Sequence, residues 1–267
     1  MQIPDSFSEL TQAAFYTAKK AGDFLKKGYS SDFQISPKAM KNDVVTDCDY
    51  AAEKLIVDML SKQFPTHSFL CEEGGQSPHT EGSIRWIIDP LDGTVNFAHG
   101  IPLFCVSIAA CLGEEILAGA IYAPMTEEMF FAEVNGGAYL NGQRLKVSSQ
   151  ESLFSAYVGT SLSFNLHKDP TQSIALFSRL AHFGFPIRAL GSTALNLGYI
   201  AAGKLDAYWS QSGSVNSWDA AAGKLLVEEA GGKVSQCNGS IYSLEQESTI
   251  LASNGKLHDE LIQYLTS

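Results

Sequence analysis

Trp86-Ile-Ile-Asp-Pro-Leu-Asp-Gly-Thr-Val-Asn-Phe97 is the stretch on which the reading of this chain turns. An apolar run, Trp86 to Ile88, leads straight into Asp89, Pro90, Leu91, Asp92, Gly93 and Thr94. Pro90 has a fixed φ and keeps Asp89 out of the helical region, which predicts a strand over 84–88 with a sharp turn at its end. Gly93 permits a positive φ or the close approach of a ligand to the backbone. At such a turn two carboxylates three residues apart can converge on one point, with the Leu91 carbonyl between them. Oxygen-only donors suit a hard cation such as Mg²⁺. At about 4 Å the two charges would repel by roughly 4 kcal/mol at an effective dielectric of 20. The segment holds no Lys or Arg to offset that repulsion. Taken alone, an Asp-rich turn capping a helix that begins at Thr94 accounts for the same residues.

Working outward, three more places put acids at the ends of expected elements. Glu72-Glu73 follows a strand expected over 68–71, where active sites of α/β sheets gather. Asp219, after Trp218, opens a helix expected over 219–230, and could serve simply as its N-cap. Asp47 and Asp49 open a helix expected over 47–64, where the backbone dipole favours negative charge. An earlier helix is expected over 6–28, because Leu10, Ala14, Ala18, Ala21 and Leu25 recur at three- and four-residue steps. Strands are expected over 84–88, 106–112, 116–122 and 128–132, with turns at Gly113-Glu114-Glu115 and Asn141-Gly142, giving an antiparallel meander. Beyond Leu153 the pattern changes to helices over 170–182, 194–202, 219–230 and 258–265. Strands near Tyr157, Ile187, Val234 and Leu251 separate them. The fold class is mixed α/β, read as one domain over 1–267 with a weak join near 147–153.

Composition narrows the function. The chain has 267 residues, 18 Lys and Arg against 29 Asp and Glu, and a net charge of −11. That balance disfavours nucleic acid and anionic membranes, which need a basic surface. Apolar runs are far short of the roughly 20 residues that span a bilayer. Met1-Gln-Ile-Pro-Asp-Ser6 lacks the features of a secretory signal, so a cytoplasmic location is expected. The five cysteines show no Cys-x-x-Cys and read as reduced, mostly buried thiols. The six histidines have no paired ligand spacing. Gly198-Tyr-Ile-Ala-Ala-Gly-Lys204 approaches a P-loop but continues with Leu205 where Ser or Thr is required, and reads as a helix with a Gly at its end.

The four acidic sites together resemble the inositol monophosphatase family. Asp89-Pro-Leu-Asp-Gly-Thr-Val-Asn-Phe97 and Trp218-Asp-Ala-Ala-Ala-Gly223 are similar to its paired signatures. Asp43-Val-Val-Thr-Asp-Cys-Asp49, Glu72-Glu73 and Gly191-Ser-Thr-Ala-Leu-Asn196 match further blocks, in the family order. The resemblance implies a layered αβαβα sandwich of the inositol monophosphatase and fructose-1,6-bisphosphatase type. It implies a Mg²⁺-dependent, lithium-sensitive phosphomonoesterase, commonly a homodimer, acting on a small phosphorylated substrate. Its metal ligands would be Glu72, Asp89, the Leu91 carbonyl, Asp92 and Asp219. Asp49, Glu72 and Thr94 would be catalytic, with Glu72 and Thr94 activating the attacking water. Substrate would meet Glu72, Leu91, Asp92, Gly93, Thr94, Gly191, Ser192, Thr193 and Asp219.

One departure bears on the substrate. Inositol-specific members usually carry a Glu seven residues before the Asp of the Trp-Asp block, and here that position is Ser212, within Ser210-Gln-Ser-Gly-Ser214. Inositol monophosphate leads, with another sugar, polyol or nucleotide phosphate, or bisphosphate, as the alternative. A dimeric scaffold that keeps the fold and acts by binding is the reading from another class. Lys38 and Lys41, before the Asp43 block, are candidates for the basic residue that members keep near phosphate or metal.

Overall fold

The computed structural model describes residues 3–29, 34–37, 44–80, 82–161, 186–246 and 248–266, with isolated positions at 171, 174, 178 and 184, and the backbone alone at 211–214. Lys38, Lys41, Asp43, the Ser212 side chain and nearly all of the helix expected over 170–182 lie outside those residues.

Helix α1 spans Glu9–Gly28. It starts later than residue 6 because Ser8 caps it, its side chain accepting from the Thr11 N–H at 3.3 Å. A short antiparallel pair, β1 (Ile35–Pro37) and β2 (Val44–Thr46), precedes α2 (Asp47–Gln63). Then come β3 (Ser68–Cys71), β4 (Gly75–Gln76), β5 (Arg85–Asp92), the short helix α3 (Thr94–Ala98), β6 (Cys105–Leu112), β7 (Glu115–Ala123), β8 (Glu128–Glu133), β9 (Gly137–Leu140) and β10 (Gln143–Arg144). These strands form one sheet in the order β10-β9-β8-β7-β6-β5-β3-β4, with the expected antiparallel meander at its centre and β3 parallel to β5. Asn141 and Gly142 both have positive φ, at 51° and 84°, as the tight turn between β9 and β10 requires.

The second half supplies β11 (Val158–Thr160), β12 (Ile187–Arg188), α4 (Thr193–Ala201), β13 (Ala207–Val215), α5 (Ser217–Glu229), β14 (Lys233–Ser235), β15 (Ser248–Ser253) and α6 (His258–Thr266). The sheet order is β12-β11-β13-β15-β14. β13 is a correction: no strand is expected over 207–215, yet Ala207–Val215 is a strand, parallel to β11 through Trp209 and antiparallel to β15 at Ala207–Ser210 and again at Val215. The surplus residues enter as an irregularity, since Ser210 faces Ile250 and Val215 faces Ser248. The weakly strand-forming Ser and Gly residues fall where the ladder is interrupted, between paired Ser210 and paired Val215.

Alternation along the strands sorts side chains into three cores. Val106, Ile108 and Ala110 of β6 meet Leu25, Ile56 and Leu60 of α1 and α2. Cys105, Ala109 and Cys111 face the other way, toward Leu197 of α4 and Ala222 and Leu226 of α5. Tyr208, Ile250 and Ala252 close that second core from the second sheet, while Trp209 and Leu251 face Leu257, Leu261 and Leu265 at α6. The result is the αβαβα layering. Sheets covered on both faces need nearly continuous apolar strands, and seven of the eight residues of β6 are buried. All five cysteines are free and buried. No helix among the described residues is long and apolar enough to cross a membrane.

Small residues set the depth of α5. A Cβ on Gly119 of β7 would stand 3.0 Å from the Ala222 backbone, and one on Gly223 would stand 2.5 Å from the Leu197 Cβ. The Ala-Ala-Ala-Gly run after Asp219 therefore lets α5 lie directly on β7 and α4. Gly223→Ala is expected to cost about 1–3 kcal/mol through overpacking, lowering the thermal midpoint by several degrees in a circular dichroism melt. An unchanged midpoint would contradict this packing.

Candidate active site

β5 does not end at Ile88 but runs on to Asp92, a second correction. Asp89 pairs with Ser107 and Asp92 with Cys105, so three steps on β5 match two on β6. That one extra residue is a bulge at Pro90-Leu91. In an unbroken strand residues three apart point to opposite faces; the bulge brings Asp89 and Asp92 to the same side. Proline suits a bulge because it has no N–H to give the ladder.

Both carboxylates line a cleft of about 380 Å³ together with Glu72, Leu91, Gly93, Thr94, Gly191 and Asp219. Glu72 stands just past β3, its N–H bonded to the Ile88 carbonyl at 3.2 Å. Asp219 sits in the first turn of α5, and its Oδ2 accepts from the Asn216 N–H at 3.1 Å. Asp89 Oδ1 accepts from the Leu91 N–H at 2.9 Å. Gly93 has φ 98°, and a Cβ there would fall 2.8 Å from the Leu103 carbonyl, so glycine is required where β5 turns into α3.

Three expected site residues stand behind the cleft wall. Asp49 is fully buried; its Oδ2 accepts from Thr46 N (2.8 Å) and Thr46 Oγ1 (2.6 Å), and its Oδ1 lies 3.0 Å from Thr94 Oγ1. The Thr94 hydroxyl is also 2.9 Å from the Leu91 carbonyl. Ser192, the N-cap of α4, donates to Asp92 Oδ2 at 2.6 Å, and the Ala194 N–H donates to the same oxygen at 2.6 Å. Thr193 bonds to the Tyr208 hydroxyl at 3.0 Å.

The electrostatics are one-sided. Four acids line the cleft, and none of the described residues lining it is Lys, Arg or His. Burial, then the charges of Glu72, Asp92 and Asp219, holds the Asp89 carboxyl well above its usual range. Burial and the acids Asp92 and Glu72 do the same to Asp219. Asp92 is pushed up to about 6 by burial, moderated by its bonds to Ser192 and α4, and burial pushes Asp49 up to about 6. The acids ring the cleft without closing on one point: among the described residues no three acidic, His or Cys side chains form a ready-made cage. Carboxylates gathered in one cleft, with no Lys, Arg or His among its described lining residues, fit a divalent hard cation and do not fit a zinc site, which draws on His and Cys.

Sequence reasoning missed two parts of this site. Thr160 and Ser161, at the end of β11, line the cleft. Their signal was small hydroxyl residues just beyond a short apolar strand. Glu53 of α2 is buried, and its Oε2 accepts from the Glu73 N–H at 2.9 Å, holding the turn that presents Glu72.

A bulged sheet strand, two helix starts and a strand end thus gather acids in the way the sequence blocks imply, which defines a class of acid-lined α/β sandwich. Residues 6–267 match the model of the inositol monophosphatase family, and the chain belongs to that family. An inositol-1-monophosphatase of Caulobacter vibrioides is 36% identical over 252 residues, 93% of this chain and 97% of that protein. The Nus factor SuhB of Pasteurella multocida is 38% identical over 251 residues, 93% of this chain and 92% of that protein. The crystal structure of the extragenic suppressor protein suhB from Bartonella henselae superposes with a TM-score of 0.90 at 35% identity, covering 97% of this chain and 99% of that one.

Proposed function

We propose that the chain hydrolyses a small phosphate monoester, inositol monophosphate first among them, with Mg²⁺ held by Glu72, Asp89, the Leu91 carbonyl, Asp92 and Asp219. The observation that carries this reading is a cleft whose described lining residues include four acids and no Lys, Arg or His, in a chain of this family. Four carboxylates would repel a phosphate dianion unless positive charge is bound among them. Bound there, Mg²⁺ would supply the missing positive charge, make water acidic enough to attack, and stabilise the departing oxygen.

The chain's own residues do the positioning. Thr94, held between Asp49 and the Leu91 carbonyl, offers its oxygen to the attacking water. Glu72, which lines the cleft, would take the proton. Ser192 and the start of α4 fix Asp92 so that its other oxygen is left for the cleft. Thr94→Ala should lower kcat about a hundredfold, the scale of one proton-transfer or water-orienting group, while Thr94→Ser keeps most of it. Equal loss in both variants would contradict a role for the hydroxyl.

The general test is phosphate release from a panel of polyol, sugar and nucleotide phosphates, with and without Mg²⁺ and Li⁺. Release that requires Mg²⁺ supports the reading, and release unaffected by chelation overturns it. A second reading, docking on another macromolecule, is favoured by the name of the Pasteurella multocida relative. Variants of the metal ligands separate the two, since they would abolish hydrolysis and leave docking intact.

A further inference from the structure

A line of three hydroxyls ends at the cleft wall. Tyr208 of β13 is fully buried among apolar side chains of the central core. Its hydroxyl lies 3.0 Å from Thr193 Oγ1, in the first turn of α4, and donates to Ser161 Oγ over 2.9 Å. A phenol has one hydrogen to give. With that hydrogen directed to Ser161, the phenolic oxygen accepts from Thr193, and the Ser161 oxygen is already serving as an acceptor. The Ser161 hydrogen is then the end of the line, and Ser161 faces the cleft.

The other polar side chains around the cleft are differently committed. With Mg²⁺ bound among them, Glu72, Asp89, Asp92 and Asp219 would be ionised and would only accept. Thr160 Oγ1 donates to the Trp209 carbonyl at 3.1 Å, and the Thr94 hydrogen goes to Asp49 or to the Leu91 carbonyl. Asn96 Nδ2 gives its hydrogens to the carbonyls of Leu103 (2.7 Å) and Leu190 (2.8 Å). Among the described residues lining the cleft, Ser161 is thus the side chain whose donor hydrogen is not spent within the protein. A polyhydroxylated alcohol brings hydroxyl oxygens that seek donors as well as hydrogens that seek acceptors. The acids meet the second need and cannot meet the first.

We propose that Ser161 is a specificity-determining residue that donates a hydrogen bond to a hydroxyl oxygen of the substrate's alcohol portion, and that Tyr208 is the positioning residue that aims it. The site therefore selects phosphates of polyols or sugars over phosphates of alcohols without further hydroxyls. This inference rests on the phosphatase reading above and adds the residue that meets the alcohol portion.

The test compares kcat/KM for inositol 1-phosphate and for phenyl phosphate, which has no hydroxyl to recognise, at saturating Mg²⁺. Ser161→Ala should lower the ratio of the two constants about three- to tenfold, the worth of one hydrogen bond, with the change in KM rather than kcat. Ser161→Thr should restore the ratio, and Tyr208→Phe, which keeps the ring, should lower it less than Ser161→Ala does. Thermal melts accompany each variant, and Ser161→Ala, at a half-buried position, keeps the question open to test if Tyr208→Phe fails to fold. A ratio unchanged in Ser161→Ala, with both substrates turned over by the parent protein, overturns this inference alone. Turnover of neither substrate by the parent protein overturns the phosphatase reading and this inference with it.

Discussion

Asp89→Asn is expected to reduce phosphate release by at least about a thousandfold at saturating Mg²⁺, a loss of about 4 kcal/mol of transition-state stabilisation. Asp89 is 1% exposed and stands among Glu72, Asp92 and Asp219. Asparagine has the same shape, and its oxygen can still accept from the Leu91 N–H, so the bulge at Pro90-Leu91 keeps its internal bond. What disappears is one full negative charge from the set that would bind cation. The circular dichroism spectrum should be unchanged, and the melting temperature measured in chelator should not fall. Turnover within tenfold of the parent protein would remove Asp89 from the metal site.

The second large effect is on stability, and it is opposite in sign to the effect on activity. Asp92 titrates near 6 in the folded chain, against about 3.9 when unfolded. A raised folded-state pKa means that the native state holds more protons between those values. Its stabilisation is fully present below the unfolded value and is lost as pH rises through about 6. In chelator, the melting temperature of the parent protein should therefore suffer from Asp92 ionisation between pH 5 and pH 8. Asp92→Asn should be the more stable of the two at pH 8, with the gap narrowing at pH 5. His258 acts in the other direction. It is buried between the Ser235 and Ser253 hydroxyls with its pKa lowered to about 4, so its contribution is lost as pH falls from about 6.5 toward 4. Both proteins carry His258, so it cancels in the difference. Added Mg²⁺ should raise the melting temperature of the parent at pH 8 and raise that of Asp92→Asn far less. Parallel pH profiles for the two proteins would contradict the upward push of burial on the Asp92 carboxyl.

Much of the first sheet was legible because its strands alternate or run apolar between turns with plain signals. β3 has the expected bounds, and the hairpin between β6 and β7 falls at Gly113-Glu114. The segment that decides the site was expected to bring its two carboxylates together, and it does, by a geometry other than the one expected. Pro90 marks a bulge within β5 rather than the end of the strand, because the ladder to β6 resumes at Asp92. Local rules register that proline disrupts pairing and do not reveal whether a neighbouring strand will take the chain up again. β13 was hidden for a related reason: Ser210–Ser214 has loop composition, and the strand is carried by the pairing of Ala207–Trp209 with β11 and of Ala207–Ser210 and Val215 with β15, both distant in sequence.

The candidate site shows the same division. Asp89, Asp92, Asp219 and Glu72 each carry a bland local reading, and only their order along the chain, matched to a family, joined them into one cleft. The supporting residues were invisible at that level. Ser192, expected at the substrate, caps α4 and donates to Asp92, a role that the local sequence did not announce. Thr160 and Ser161 belong to the cleft through the parallel pairing of β11 with β13, which no pattern near residue 160 could announce.

The most direct measurement is anomalous diffraction from a crystal of the protein soaked in Mn²⁺ as a stand-in for Mg²⁺. Anomalous density in the cleft, within about 2.0–2.3 Å of carboxylate oxygens of Asp89 and Asp219 and absent from Asp89→Asn crystals, is the predicted result. Density confined to surface acids, with the cleft carboxylates unchanged, would contradict the metal-centred account.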